Sequence, residues 1–186
     1  MTQKKIVAVD MDDTLVFLMK AIMEDHNKKH PEVAVTYEQM KAFHYDMLHP
    51  NYDCFAFMKE PEVFYNLRLM DDHVLEEMKA IHEEYDLIIV TSAFPEHVVD
   101  KWRWLQEYLP FIPHRNFCAF SRKDLIQADI LIDDAAHNVE DWVKTSRPTL
   151  VPEHPWNLDL GKLEGVTMFK TWQGMKQKLD SILMSS

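Results

Sequence analysis

The sequence predicts an α/β fold, a Rossmann-like open parallel sheet flanked by helices, with a small helical cap inserted after the first strand. Three observations predict it. Apolar runs without polar alternation recur along the chain, as strands covered on both faces require. Amphipathic helical patterns separate these runs, giving a βαβ rhythm. One connection, about sixty residues long, breaks that rhythm, and an α/β connection of such length is usually functional.

The first strand is read at residues 5–10 (KIVAVD). The segment after it carries helix-like stretches at 16–30 and 36–48 and many aromatic residues. A helix over 71–84 (DDHVLEEMKAIHEE) opens with acidic residues and sets Val74, Met78 and Ile81 on one face. A second continuous apolar strand follows at 86–91 (DLIIVT). The next helix, 95–109 (PEHVVDKWRWLQEYL), enters through Pro-Glu and stops before Pro110. Further strands are expected at 116–120, 129–133 (DILID), 148–151 and 165–170, with a helix over 137–145 and a closing helix at 172–184. The division that follows is a core of residues 1–15 and 71–186 and a cap of residues 16–70.

A chain of 186 residues suffices for one core with a modest insertion. Its net charge of −11 argues against a nucleic-acid polymer as partner, because phosphate backbones are held by an excess of Lys and Arg. Cys54 and Cys118 stand in unrelated contexts, so neither a disulfide framework nor a zinc site is expected. Three glycines exclude glycine-rich phosphate loops. No apolar run approaches the roughly 20 residues of a membrane span. The start, MTQKK, runs into a strand without a signal-peptide core, so the expected location is cytoplasmic.

The chemistry concentrates at strand ends. In KKIVAVDMDDTLVF (4–17), Asp10, Asp12 and Asp13 crowd negative charge into the turn after the first strand. Such crowding costs free energy unless a cation or a hydrogen-bond network compensates it. Thr91 and Ser92 end the second strand, Asp133 and Asp134 end the strand at 129–133, and Lys123 lies ten positions before Asp133. In an open α/β sheet these carboxyl ends meet at one crevice. Carboxylates for a hard cation, with hydroxyl and ammonium donors for phosphate oxygens, fit Mg²⁺ and a phosphorylated substrate. Each feature alone has a plainer reading: a turn, a helix cap, a solvated lysine, a helix start. Their joint order is what argues for a site.

DMDDT matches the DxDxT signature of the haloacid dehalogenase superfamily of phosphotransferases. Thr91/Ser92, Lys123 and Asp133–Asp134 follow in that superfamily's motif order. More narrowly, VFYNLRLM (63–70), IIVTSA (88–93), ADILIDD (128–134) and HPWN (154–157) resemble the 5′(3′)-deoxyribonucleotidases. The resemblance implies that Asp10 is a nucleophile forming an aspartyl-phosphate and that Asp12 is the acid and base. It implies that Asp10, the backbone carbonyl of Asp12 and Asp133 hold Mg²⁺, with Asp134 in support. Thr91, Ser92 and Lys123 would bind phosphate. From the cap, Phe17, Phe43, Phe64 and Tyr65 are the candidates to meet the substrate. The chain departs from the pattern at Asp13, where many members have glycine. It departs again at Leu18, eight residues after the nucleophile, where the nucleotidases carry an aromatic, and at LMDDH (69–73).

The expected substrate is a small phosphorylated molecule, a nucleoside monophosphate with deoxyribose first, and its phosphate either 5′ or 3′. A sugar phosphate is the alternative within the same chemistry. A phospho-acceptor signalling module is the rival from another class, opposed by Asp12 and by the long insertion. A homodimer through the exposed cap is a further expectation.

Overall fold

The structure is a computed structural model that describes residues 4–41 and 47–184. Its centre is a six-stranded sheet, ordered β3-β2-β1-β4-β5-β6. The strands are β1 Ile6–Val9, β2 Asp86–Thr91, β3 Phe117–Ala119, β4 Ile130–Ile132, β5 Thr149–Pro152 and β6 Val166–Phe169. Every pair is parallel. Each expected strand is present: β1, β3, β4 and β6 are one residue shorter at each end, β2 keeps its expected bounds, and β5 runs one residue later than expected.

Alternation along the central strands explains why they read as unbroken apolar runs. Val7 and Val9 of β1 and Ile130 and Ile132 of β4 join the larger core, while Ala8, Val90 and Leu131 join a second core with Trp142. Both faces of the sheet are therefore covered. The helices are α1 Leu18–Lys29, α2 Cys54–Met58, α3 Val74–Glu84, α4 Pro95–Tyr108, α5 Ala136–Val143 and α6 Met175–Leu183. Residues from α3, α4 and α6 fill the larger core, and Trp142 of α5 fills the other. Among the described residues no helix is long and apolar enough to cross a membrane.

The connection between β1 and α3 differs from its expected form. The first stretch is α1, but within 36–48 the described residues hold a 3-10 turn, Tyr37–Gln39, and residues 42–46, including Phe43, lie outside the description. Helix α2 was not expected. Asp53 starts it by accepting the N–H of Ala56 at 2.9 Å, an N-cap signal too short-ranged to stand out among neighbouring aromatics.

Strand order places the site. β1 pairs with β2 on one side and β4 on the other, so the chain reverses direction across the sheet at β1. The crevice outside the carboxyl ends of β1 and β4 is a topological switch point, where open α/β sheets take their ligands. Asp10 and Asp133 are the residues immediately beyond those two ends. Asp10 N–H donates to the Ile132 carbonyl at 2.9 Å and Asp133 N–H to that of Leu150 at 3.1 Å, so the ladder itself fixes both.

Candidate active site

Lys123 lies between the two strand-end carboxylates. Its ammonium donates to Asp10 Oδ1 at 2.5 Å and to Asp133 Oδ2 at 2.6 Å, and all three side chains are buried. Asp133 also accepts from the Ala135 N–H at 2.9 Å and from Asn138 Nδ2 at 3.1 Å, which places it as a fixed pillar under the site. Burial would lower the Lys123 ammonium, but Asp10 and Asp133 outweigh it and hold its pKa above the ordinary lysine value.

Asp10 is pushed up to about 7, first by burial and then by Asp133 and Asp12, with Lys123 opposing. Asp134 is also raised, by burial and by Asp13 and Asp133, while it accepts from Trp156 Nε1 at 3.1 Å. Oxygens of Asp10, Asp133 and Asp134 lie within 4.8 Å of one another. A buried, all-oxygen set with excess negative charge is one that a hard divalent cation satisfies. The Asp134 oxygen lies within this group, beside the two strand-end carboxylates it was expected to support.

The Asp12 carboxylate points elsewhere. Its Oδ2 accepts from Lys101, a fully buried lysine of α4 that also donates to Thr91 Oγ1 at 2.8 Å and to the Ser92 carbonyl at 3.3 Å. The same ammonium stands 4.9 Å over the Phe64 ring. Asp12 Oδ1 is buried without a hydrogen-bond partner among the described residues. Lys101 escaped the sequence reading, although a signal existed. His97, Lys101, Trp104 and Leu105 form the buried stripe of α4, and a lysine in an apolar stripe needs a buried anion.

Asp13 answers for the missing glycine. Its φ is +50°, in the left-handed region where glycine is at ease and aspartate is tolerated. The buried carboxylate accepts the Met19 N–H with both oxygens, at 3.0 and 3.1 Å, and so caps the start of α1. The Asp13 carbonyl accepts from His154 Nε2 at 2.6 Å, which puts the imidazole proton on Nε2. His154 Nδ1 then accepts from the Tyr37 hydroxyl at 2.7 Å, and Trp156 stacks on the ring at 4.4 Å. Burial holds His154 down to about 4, so it is neutral at neutral pH.

A cavity of about 280 Å³ opens over these groups. Asp10, Asp12, Lys123, Asp134 and Ser92 line it from the sheet side. Leu18, Met19, Phe55, Met58 and Phe64 line it from the insertion, and Phe94, His97, Ser121, His137 and Asn138 are among the other lining residues. Of the residues expected there, Thr91 lies buried beneath, bound to Lys101, and does not reach the lining. Phe17 and Tyr65 also stay outside. Asp13 fixes α1 so that Leu18 and Met19 face the cavity, and Phe17 turns edge-on to Tyr37 at 6.1 Å. Tyr65 donates to Glu107 and packs under Arg103 at 4.3 Å, drawn by its hydroxyl to the outer side of α4.

The histidines of the insertion have no ligand spacing in sequence, yet the fold stacks His30 on His49 at 4.3 Å, and Glu32 completes a group with ligand atoms within 4.8 Å. His49 Nδ1 accepts the Asn51 N–H at 3.1 Å, so its proton sits on Nε2 and neither nitrogen offers a free lone pair.

The family model described as "5′ nucleotidase, deoxy (Pyrimidine), cytosolic type C protein" matches residues 4–182. A Staphylococcus epidermidis chain named provisionally as a 5′(3′)-deoxyribonucleotidase is 33% identical over 144 residues, covering 75% of this chain and 79% of that one. A 5′(3′)-deoxyribonucleotidase of Bacillus subtilis is 31% identical over 147 residues, covering 74% and 80%. In fold, the chain resembles a haloacid dehalogenase family hydrolase of Deinococcus radiodurans, solved with bound phosphate and sodium. The TM-score is 0.70 at 10% identity, over 99% of this chain and 98% of that one.

Proposed function

The chain belongs to the cytosolic type C 5′-nucleotidase family of the haloacid dehalogenase superfamily, phosphoric monoester hydrolases, and from that premise we propose a Mg²⁺-dependent phosphatase of nucleoside monophosphates, deoxyribonucleotides first, working through an aspartyl-phosphate. One observation carries the reading. Asp10, Asp12, Ser92 and Lys123 converge on a single cavity, with Asp133 and Asp134 beside Asp10.

Asp10 attacks phosphorus, and the bond from phosphorus to the leaving oxygen breaks. Asp12 gives that oxygen a proton, while Lys101 anchors its Oδ2. Asp12 then takes a proton from water, which attacks phosphorus, breaks the Asp10–phosphorus bond and frees inorganic phosphate. Ser92 and Lys123 hold the phosphoryl oxygens throughout, where charge builds in the transition state. Asp10, Asp134, the Asp12 carbonyl and Asp133 would hold Mg²⁺, which when bound neutralises the carboxylates and the phosphoryl charge. The insertion acts as a cap, since its apolar side chains face the cavity and limit it to small leaving groups.

The test is phosphate release from deoxyribonucleotides, ribonucleotides and sugar phosphates, with and without Mg²⁺, by the wild type and Asp10→Asn. Release from a nucleotide that falls at least 10³-fold in the variant, and stops on chelation, is expected. Sugar phosphates turned over in preference would keep the mechanism and reject the substrate. No Asp10-dependent release from any ester would reject the enzyme reading.

A further inference from the structure

The HPWN turn (154–157) follows β5 and, among the described residues, supplies none of the cavity's lining, so the proposed chemistry leaves it without a part. Its side chains nonetheless reach the carboxyl edge of the sheet. Asn157 Nδ2 donates to the Asp134 carbonyl at 3.0 Å and to that of Pro152 at 2.9 Å, while Asn157 Oδ1 accepts the His154 N–H at 2.8 Å. Trp156 Nε1 donates to Asp134 Oδ2 at 3.1 Å. One turn therefore grips Asp134 by its backbone and by its side chain.

The indole is itself held in place. Its ring stacks on His154 at 4.4 Å with the planes 12° apart, and Tyr37 of the insertion meets it edge-on at 5.6 Å. His154 is fixed at both ring nitrogens, Nε2 donating to the Asp13 carbonyl and Nδ1 accepting from the Tyr37 hydroxyl. An indole N–H can only donate. With its ring clamped on two sides, it donates in one direction, toward Asp134.

That direction matters because of what Asp134 stands beside. Its oxygen lies within 4.8 Å of oxygens of Asp10 and Asp133. Lys123 holds the carboxylates of Asp10 and Asp133, whereas the indole holds that of Asp134. Rotation of the Asp134 side chain would carry its oxygens away from the other two, and the bond to Trp156 resists it. We propose that Trp156 is a positioning residue for the cation, keeping the Asp134 carboxylate turned to the site it shares with Asp10 and Asp133. This rests on the Mg²⁺ part of the nucleotidase reading and deepens it. Partners that orient a metal's ligands are commonly worth about 10–100-fold in metal affinity.

The experiment measures Mg²⁺ affinity by calorimetry on the substrate-free protein, wild type against Trp156→Phe. The variant keeps a ring to stack on His154 and has no N–H. Its affinity is expected to fall by about 10-fold or more. The Trp156 indole signal, assigned through bonds in the wild type, is followed by nitrogen–proton NMR through the same titration. It should shift with the midpoint that calorimetry gives, because the carboxylate it binds passes electron density to the ion. This wild-type measurement stands whatever the variant does to folding, and a merely structural role for the turn would leave the signal unmoved. An unmoved signal, or equal Mg²⁺ affinity in the two proteins, would overturn the proposal. Phosphate release by the same wild type separates the two readings. Release with Mg²⁺ affinity unchanged in Trp156→Phe rejects the role of Trp156 alone, whereas neither release nor Mg²⁺ binding rejects the nucleotidase reading with it.

Discussion

At the scale of single residues, the least expected finding is a lysine inside a protein core. Lys101 has no solvent exposure and its charge is balanced by Asp12, with Thr91 and the Ser92 carbonyl taking its other protons. Lys101→Met would leave Asp12 facing an apolar wall. Loss of one partner of a buried pair is expected to destabilise the fold by about 3 kcal/mol, less the share that solvent screens at the partly exposed Asp12. It should lower kcat by roughly 10–100-fold, because the acid loses its anchor. Denaturant midpoints and phosphate release on the same preparations check both. The double variant Lys101→Met/Asp12→Asn should regain much of the stability and none of the activity, because no charge is then left unpaired.

At the scale of elements, two helices start on carboxylates that lie outside them, one six residues away and one about a hundred. Asp13 caps α1 with both oxygens, and Glu77 of α3 caps α6 by accepting from Gly174 N at 2.7 Å and Lys176 N at 2.8 Å. Glu77→Ala should lower stability by about 1 kcal/mol, the usual worth of a cap, without altering turnover, since α6 lies away from the cavity. Asp13→Ala should cost about 2 kcal/mol, the lost cap plus a methyl forced into the left-handed region. Asp13→Gly should cost less because the strain goes with the side chain. Unfolding curves of the three variants separate cap from strain. Here activity is expected to fall as well, since α1 carries Leu18 and Met19 into the cavity.

At the scale of the whole molecule, acid should weaken the fold through His154. An ordinary histidine protonates near 6.5, and His154 in the fold only near 4. Between those values the unfolded chain binds the extra proton, so this stability is complete above about pH 6.5 and is lost as pH falls toward 4. The full loss is about 3 kcal/mol. His154→Phe should flatten that part of the stability curve in urea titrations from pH 4 to 7. Ligands act at the same scale. With Mg²⁺ and inorganic phosphate each near a hundred times its dissociation constant, each ligand should stabilise by about 2.7 kcal/mol if it binds independently. The melting temperature should then rise by at least about 5 °C, and chelation should reverse the cation's share.

Strand composition, helix periodicity and the order of Asp10, Thr91, Lys123 and Asp133 were legible in the sequence because they are local. Parallel strands buried on both faces must be apolar runs, and the residue after each strand falls at the carboxyl edge wherever that strand sits. That sufficed for the sheet and for most of the carboxylate cluster. Strand order, and with it the neighbourhood of Asp10 and Asp133, was decided by packing between segments more than a hundred residues apart. The directions of side chains in the insertion were decided the same way. Whether Leu18 or Phe17 faces the cavity depends on the cap that Asp13 gives α1, and Tyr65 follows its hydroxyl to Glu107. Lys101 stood in the sequence only as a lysine within the apolar stripe of a helix. Only the tertiary structure gave it a buried anion, because that depends on what stands opposite.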